Sequence, residues 1–334
     1  MKKGGIVLVV AILIILALIG VWFFMNPIQN IPAALEPISL GFQPSEGAAL
    51  IYVAEDQHFF SENGLNVTTK DYEPAAAGVT GMVNGEVDLA GASEYPIVLN
   101  ILDGKNISIL GTDVESMDVY LIGRKDQGIE NISDLNGKKI GLAFGTISEF
   151  YLSRFLTLHD MNLQNVTVVN IDPSEFVDAI ASGKVDAVVC AQPFAGEITE
   201  KLDNEVVEWS VQSSQPAYGV FVARNDWIAA NSDLVVRFLK SINMAEQYTT
   251  TNPAGAKDIV QKQLNLSDPY LSSEWSENQF SLSLDQSLVL SMEDEARWMI
   301  ANNMTNATTI PDFGKYIYTN GLENVSPDSV NIIQ

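Results

Sequence analysis

The chain has 334 residues, 47% of them hydrophobic and 18% charged, the balance of a folded protein long enough for two ordinary domains. Its 42 acidic and 18 basic side chains give a formal net charge of −24. That excess argues against nucleic-acid binding and against docking on anionic lipid through a basic patch, because both need clustered Lys and Arg.

Lys2 and Lys3 precede an uncharged run from Gly4 to Met25, rich in Ile, Leu, Val and Ala. Roughly 20 apolar residues match the hydrocarbon thickness of a bilayer and exceed the core of a signal peptide. Residues 1–36 are therefore expected to be a single-pass membrane anchor with a tether, or a signal segment cut near Ile31–Ala34 that leaves a secreted protein. Either way the lysines stay inside and the main domain lies on the extracytoplasmic side. Asn-x-Ser/Thr sequons at Asn66, Asn106, Asn131, Asn165, Asn265, Asn303, Asn306 and Asn324 make it a candidate glycoprotein.

Beyond the tether, Ile38–Phe42 reads as a strand, followed by Gln43-Pro44-Ser45-Glu46-Gly47 and a helix to about Phe60. Asn63-Gly64 stops that helix, and Leu65–Thr69 is the next strand. A helix from Ala75, a strand Val87–Ala90, a helix Pro96–Leu102 and a strand Ile107–Leu110 complete one series. The second series has strands at Val119–Gly123, Ile140–Phe144, Val166–Ile171 and Val185–Cys190, with helices from Gly145 to about His159 and from Glu175 to Ser182. Residues 196–215 are expected to carry the chain back, Tyr218–Ala223 to be a return strand, and Leu234–Thr250, Ala254–Leu264 and Ser283–Ala301 to be helices.

One phrase occurs twice. Gly85-Glu86-Val87-Asp88 and Gly183-Lys184-Val185-Asp186 each follow a helical segment, turn at a Gly and enter a small apolar strand. Two such units predict two similar α/β lobes that aim strand ends at a shared crevice, where open α/β sheets bind ligands.

Strand ends that feed helix N-termini offer backbone N–H groups and a positive dipole end. The loops of this kind are Gln43–Gly47, Gly91–Tyr95, Gly145–Glu149 and Ala191–Phe194. They supply the ligand-binding candidates Gln43, Ser45, Ser93, Glu94, Tyr95, Gly145, Thr146, Ser148 and Gln192, and Tyr218 adds an aromatic face for a flat heterocycle, as Tyr72 would. Gly145-Thr146-Ile147-Ser148 is the best anion cradle, although an ordinary helix cap explains the same residues. None of the four loops contains Arg, Lys or His, so an inorganic anion would be held by backbone and hydroxyls alone. Glu94 and Glu149, if they point inward, favour an amine or a protonated ring; otherwise they merely complement helix dipoles. Arg124 and Arg224 read as solvent-facing strand exits. Cys190, the single cysteine, lies in an apolar strand far in sequence from His58 and His159, and reads as a buried small hydrophobe.

The order of motifs resembles the periplasmic-type solute-binding proteins of ABC importers, in their nitrate/sulfonate/taurine and thiamine-precursor branch. The carriers are Tyr52-Val53-Ala54, Phe59-Phe60-Ser61-Glu62-Asn63-Gly64-Leu65, Gly85–Asp88, Ser133-Asp134-Leu135-Asn136-Gly137-Lys138-Lys139-Ile140-Gly141, Gly183–Ala187, Gln192-Pro193, and Asn225-Asp226-Trp227 with Phe238-Leu239. The resemblance implies an α/β, two-lobed type II periplasmic binding protein architecture with a hinge, here preceded by the N-terminal transmembrane helix. Lobe 1 would comprise residues 37–115 and 216–334 and lobe 2 residues 116–215, with crossing segments near Asp113–Asp118 and Val211–Pro216. It further implies a monomeric, extracytoplasmic solute-binding component that delivers a small sulfonate-, taurine-, nitrate- or pyrimidine-like solute to a permease and ATPase, with no catalytic residue, cofactor or metal. The alternatives are a membrane-tethered sensor ectodomain and an enzyme like the related pyrimidine synthases. The latter would need a cysteine-rich stretch and well-placed histidines, which one Cys and two His do not supply.

Overall fold

A computed structural model describes residues 34–333. The apolar run Gly4–Met25 lies outside them, and no helix among the described residues is long and apolar enough to cross a membrane. Strands β1 (Glu36–Phe42), β2 (Leu65–Asp71), β3 (Leu89–Ser93) and β4 (Ile107–Ser116) alternate with helices Ala49–Asp56, Ala75–Asn84 and Glu94–Leu102. The chain then builds β5 (Tyr120–Arg124), β6 (Lys139–Leu142), β7 (Thr167–Asn170), β8 (Ala187–Cys190) and β9 (Val206–Ser210), with helices Ile147–Leu158, Phe176–Ala181 and Phe194–Leu202 between them. It returns through β10 (Ala217–Arg224) to a helical region that carries β11 (Asn278–Phe280), β12 (Leu284–Asp285) and β13 (Val330–Asn331).

Two sheets result. The larger has the order β11-β4-β10-β3-β1-β2 and the smaller β7-β6-β8-β5-β9. In the larger, β1 pairs in parallel with β2 and β3, while β10 runs antiparallel between β3 and β4. In the smaller, β6 pairs in parallel with β7 and β8, and β5 is antiparallel to β8 and β9. Apolar strands covered on both faces give a continuous core: Ile38, Leu40, Leu89, Ile109, Val220 and Phe221 are nearly inaccessible.

The repeated Gly-x-Val-Asp phrase has the same structural job in both sheets. Gly85 (φ +81°) and Gly183 (φ +74°) adopt the left-handed conformation that ends the preceding helix, where a side chain would be strained. Asp88 accepts from the Ser39 N–H at 2.8 Å and the Ser39 hydroxyl at 2.7 Å, and Asp186 accepts from the Lys139 N–H at 2.8 Å. Each carboxylate thereby pins its strand to the parallel neighbour, at the middle of β1 or the start of β6. Arg224 and Arg124 complete the pairing from β10 and β5. Arg224 donates to the Met82 carbonyl, and Arg124 donates to Ile180 O at 2.8 Å and Ala181 O at 2.9 Å. These arginines were expected to face solvent; instead they cap helix C-termini, whose orphan carbonyls favour cations.

Residues 117–119 and 211–216 cross between the sheets. Gln212, with no exposed surface, ties the crossings together: its Oε1 accepts from Val119 N at 2.9 Å and its Nε2 donates to Ser116 O at 2.8 Å.

Several elements differ from the sequence expectation. The helix read through Phe60 breaks at His58 (φ +63°) and restarts as Phe59–Glu62. β4 continues six residues past Leu110, because its polar side chains find buried partners: Thr112 bonds Ser281 O at 3.0 Å and Ser283 O at 3.1 Å. Residues 196–215 carry part of a helix and β9, in which half-buried Val207 and Trp209 alternate with exposed Glu208 and Ser210 after the buried Val206. The helix expected from Ser283 begins at Gln286, after the two-residue β12.

Candidate functional site

The carboxyl ends of β1, β3 and β8 converge on a cavity of about 250 Å³, slightly below the ~300–1,000 Å³ of drug-sized pockets and suited to a small solute. Phe42, Gln43 and Ser45 follow β1, Ser93 ends β3, and Ala191 and Gln192 follow β8. β10 contributes Ala217, Tyr218 and Gly219, and β4 with its crossing segment contributes Asp113, Val114, Ser116 and Asp118. Both sheets therefore furnish the wall.

Five of the residues named from sequence, Gln43, Ser45, Ser93, Gln192 and Tyr218, line this cavity. The others do not. Glu94 is fully buried one layer behind the wall, where it accepts the Tyr218 N–H at 3.1 Å beside the equally buried Glu295. Burial pushes both carboxyls well above the usual range, and the proximity of Glu94 raises Glu295 further. Tyr95 is 1% exposed and packs 6.4 Å from the Trp298 ring. Both residues turn into the core because the face of the Glu94–Leu102 helix that carries them packs against helix Gln286–Ala301. Gly145, Thr146 and Ser148 are half-buried outside the cavity. The cradle they form is already occupied from within the chain: Glu149 accepts the Gly145 N–H at 2.7 Å, and the Thr146 hydroxyl donates to Ala143 O at 2.8 Å. Tyr72 packs on Gly41, Gly78 and Gly81, where an added Cβ would lie as close as 2.5 Å to its ring or hydroxyl.

Two helix starts at the cavity are likewise spoken for. Gln43 Oε1 accepts the Ala75 N–H at 3.1 Å, and Gln192 Oε1 accepts the Gly196 N–H at 2.9 Å. These side chains use the donors that an anionic ligand would otherwise recruit.

The cavity wall holds three carboxyls, Glu46, Asp113 and Asp118, and no Lys, Arg or His. None of the three was singled out as a ligand residue from sequence. Asp113 reaches the wall through a bulge. Gly219 pairs with Val114 and Val220 with Thr112, so Asp113 is the extra residue in β4. Val114, Ser116 and Asp118 face the cavity by ordinary alternation, and the bulge adds Asp113 to them. Gly219 makes room: a Cβ there would lie 2.4 Å from Asp113 Oδ1. Asp113 is 6% exposed. Burial pushes its carboxyl up to about 7, opposed by hydrogen bonds from its own N–H and that of Val114. Burial also lifts Asp118 to about 6, countered by the Ser116 hydroxyl and reinforced by the charge of Glu46. Neither aspartate has an ion-pair partner among the described residues.

The cysteine and the histidines are not at the cavity wall. Cys190 is 1% exposed with its thiol pushed far up by burial, and neither His58 nor His159 lines the cavity. Among the described residues no group of three or more His, Cys, Asp or Glu is arranged to hold a metal ion.

The chain is similar to known proteins over most of its length. A Brucella abortus (strain 2308) protein named only as a binding protein is 28% identical over 243 residues, 71% of this chain and 75% of that one. The taurine-binding periplasmic protein of Escherichia coli K12 is 23% identical over 221 residues, 65% of this chain and 67% of the relative. In structure, the periplasmic aliphatic sulphonate binding protein SsuA from Escherichia coli superposes with a TM-score of 0.71 at 15% identity, covering 85% of this chain and 98% of that one. The fold is thus that of the two-lobed periplasmic binding proteins. These relatives are named for binding, although the fold also serves a desulfurization enzyme, matched with a TM-score of 0.63 at 15% identity. Residues 46–256 match the family described as NMT1/THI5 like, and with well over half of the sequence matched this chain belongs to that family.

Proposed function

We propose that the protein is the extracytoplasmic solute-binding component of an ABC importer, capturing a small solute in the cleft between its sheets and presenting it to a permease and ATPase. The observation that carries this is the cavity itself: strand ends from both sheets meet there, beside the short crossings between the sheets that Gln212 ties together. In such an architecture a ligand that touches both lobes stabilises their closed arrangement, and closure reports occupancy. Residues 37–115 with 216–334 form one lobe and residues 116–215 the other, hinged at the crossings. Residues 1–36 tether the protein to the membrane. Relatives named for taurine and for binding alone support the class of activity.

The test is a thermal-shift screen of the full-length protein against sulfonates, taurine, nitrate, hydroxymethylpyrimidine, riboflavin and amines. A bound solute raises the melting temperature by mass action. Silence toward every small solute, together with specific capture of a protein partner, would replace the importer assignment with a sensor.

A further inference from the structure

We propose that the solute taken by this cleft is a small organic cation, an amine or protonated nitrogen base held by the carboxylates of Asp113 and Asp118 with Glu46 alongside. The proposal rests on the solute-binding function above and adds the ligand's charge.

The cavity identifies the site; the charges that line it identify the class of guest. Asp113 is more than nine-tenths buried, sits on the cavity wall and has no cationic partner among the described residues. A buried carboxylate without a countercharge is unfavourable, and proteins ordinarily pair it. Here the chain supplies no countercharge at the wall, so the carboxyl either takes up a proton or is paired by a guest, and a cationic guest stabilises the ionised form. The backbone is built to hold the carboxyl in place: the bulge in β4 aims Asp113 inward, and the missing side chain of Gly219 leaves it space. Asp118 stands two alternations beyond Val114 on the same wall.

Some of the features that would favour an anion are taken up from within the chain, although the helix starts at Ser45 and Ser93 carry no side-chain cap. Gln43 and Gln192 consume backbone donors at two helix starts, and Glu149 fills the Gly145 cradle. A sulfonate or nitrate entering the cavity would meet three carboxyls and no basic side chain. A metal ion fits poorly, since these carboxyls do not form a metal-ligating group. An ammonium or amidinium group instead donates several N–H bonds to carboxylate oxygens, the strong charge-assisted kind. Tyr218 and Phe42 in the same wall supply apolar surface for its carbon skeleton.

The experiment uses full-length protein at pH 8 in low salt, with thermal shift and calorimetry. One panel contains ethanolamine, putrescine and agmatine; the other contains ethanesulfonate, propanesulfonate and nitrate; Ca²⁺ is run separately. Binding by one or more amines and by neither inorganic nor sulfonate anions is expected. Asp113→Asn and Asp118→Asn should each weaken that amine by roughly 10- to 100-fold, the loss of a hydrogen bond to a charged group, while circular dichroism shows them folded. Binding of a sulfonate or nitrate without any amine overturns the cation but leaves solute binding standing. Stabilisation by Ca²⁺ alone overturns the organic cation, and an amine whose affinity is equal in both variants overturns the site. Failure of every compound in both panels counts against solute binding itself and the cation with it.

Discussion

Replacing Asp113 with Asn should make the ligand-free protein more stable above neutral pH while impairing its ligand site. In the folded chain burial raises this carboxyl from its ordinary 3.8 to about 7. The folded state therefore binds a proton more tightly than the unfolded state does. Its contribution is fully favourable below pH ~4 and is lost progressively as the pH rises toward ~7. A shift of ~3 pH units corresponds to about 4 kcal/mol lost once Asp113 is ionised, at ~1.36 kcal/mol per unit. Asn keeps the shape and one acceptor for the Val114 N–H, yet carries no charge. Asp113→Asn should thus match the parent near pH 4 and exceed it by up to about 4 kcal/mol at pH 8, or up to about 8–16 °C in melting temperature at roughly 2–4 °C per kcal/mol. Paired thermal melts from pH 4 to 9, without added solute, measure the divergence. A constant difference across that range, or a less stable variant at pH 8, would refute the account of Asp113 as an uncompensated buried charge. The same titration predicts that amine affinity rises about tenfold from pH 6 to 8 as Asp113 ionises, with about a further twofold from Asp118.

Three more perturbations test the surrounding architecture. Gly219→Ala places a Cβ 2.4 Å from Asp113 Oδ1 and 2.6 Å from Val114 Cγ1, so it should cost about 1–3 kcal/mol by overpacking and weaken solute binding; an undiminished affinity in calorimetry would show that Asp113 does not depend on this gap. Glu295→Gln removes one member of the fully buried carboxyl pair, whose raised proton affinity makes stability fall with increasing pH; the melting temperature should decline less between pH 6 and 9 than in the parent, and an identical slope would count against the pair. Asp88→Ala should cost more than Asp186→Ala, about 2 against about 1 kcal/mol, because Asp88 holds both the N–H and hydroxyl of Ser39 whereas Asp186 holds one N–H of Lys139; denaturant melts giving the reverse order would remove the strand-pin explanation.

The repeated Gly-x-Val-Asp phrase was readable because its determinants are local. A Gly in the left-handed region ends a helix, an apolar pair enters a strand, and an Asp between them reaches the adjacent strand. Nothing in that phrase requires knowledge of distant residues except the partner backbone, which any parallel neighbour supplies. Where long-range partners decide, local signals mislead. Gly111-Thr112-Asp113-Val114-Glu115-Ser116 is too polar to read as a strand, yet it continues β4 because Ser281, Ser283 and β10 satisfy it. Arg124 and Arg224 end apolar strands as though entering solvent, but the carbonyls they cap belong to helices far along the chain.

The same distinction explains the site. Helix-start logic led to Gln43, Ser45, Ser93 and Gln192 because the carboxyl end of a parallel strand and the helix after it are consecutive in sequence. The charges were sought in those same loops, at Glu94 and Glu149. Helix geometry then turns Glu94 into the core beside Glu295, and Glu149 folds back onto the Gly145 N–H. The acids on the wall come from the 46–48 turn and the β4 crossing, and Asp113 faces the cavity only because the register of β10 slips by one residue against β4. Period-two alternation read from sequence would put Asp113 on the face opposite Val114. A one-residue slip thus changes which side chains meet the ligand while leaving both strands intact. In this fold the lobes can be preserved by local motifs while a single bulge, with the glycine opposite it, adds one more carboxyl to the cavity wall.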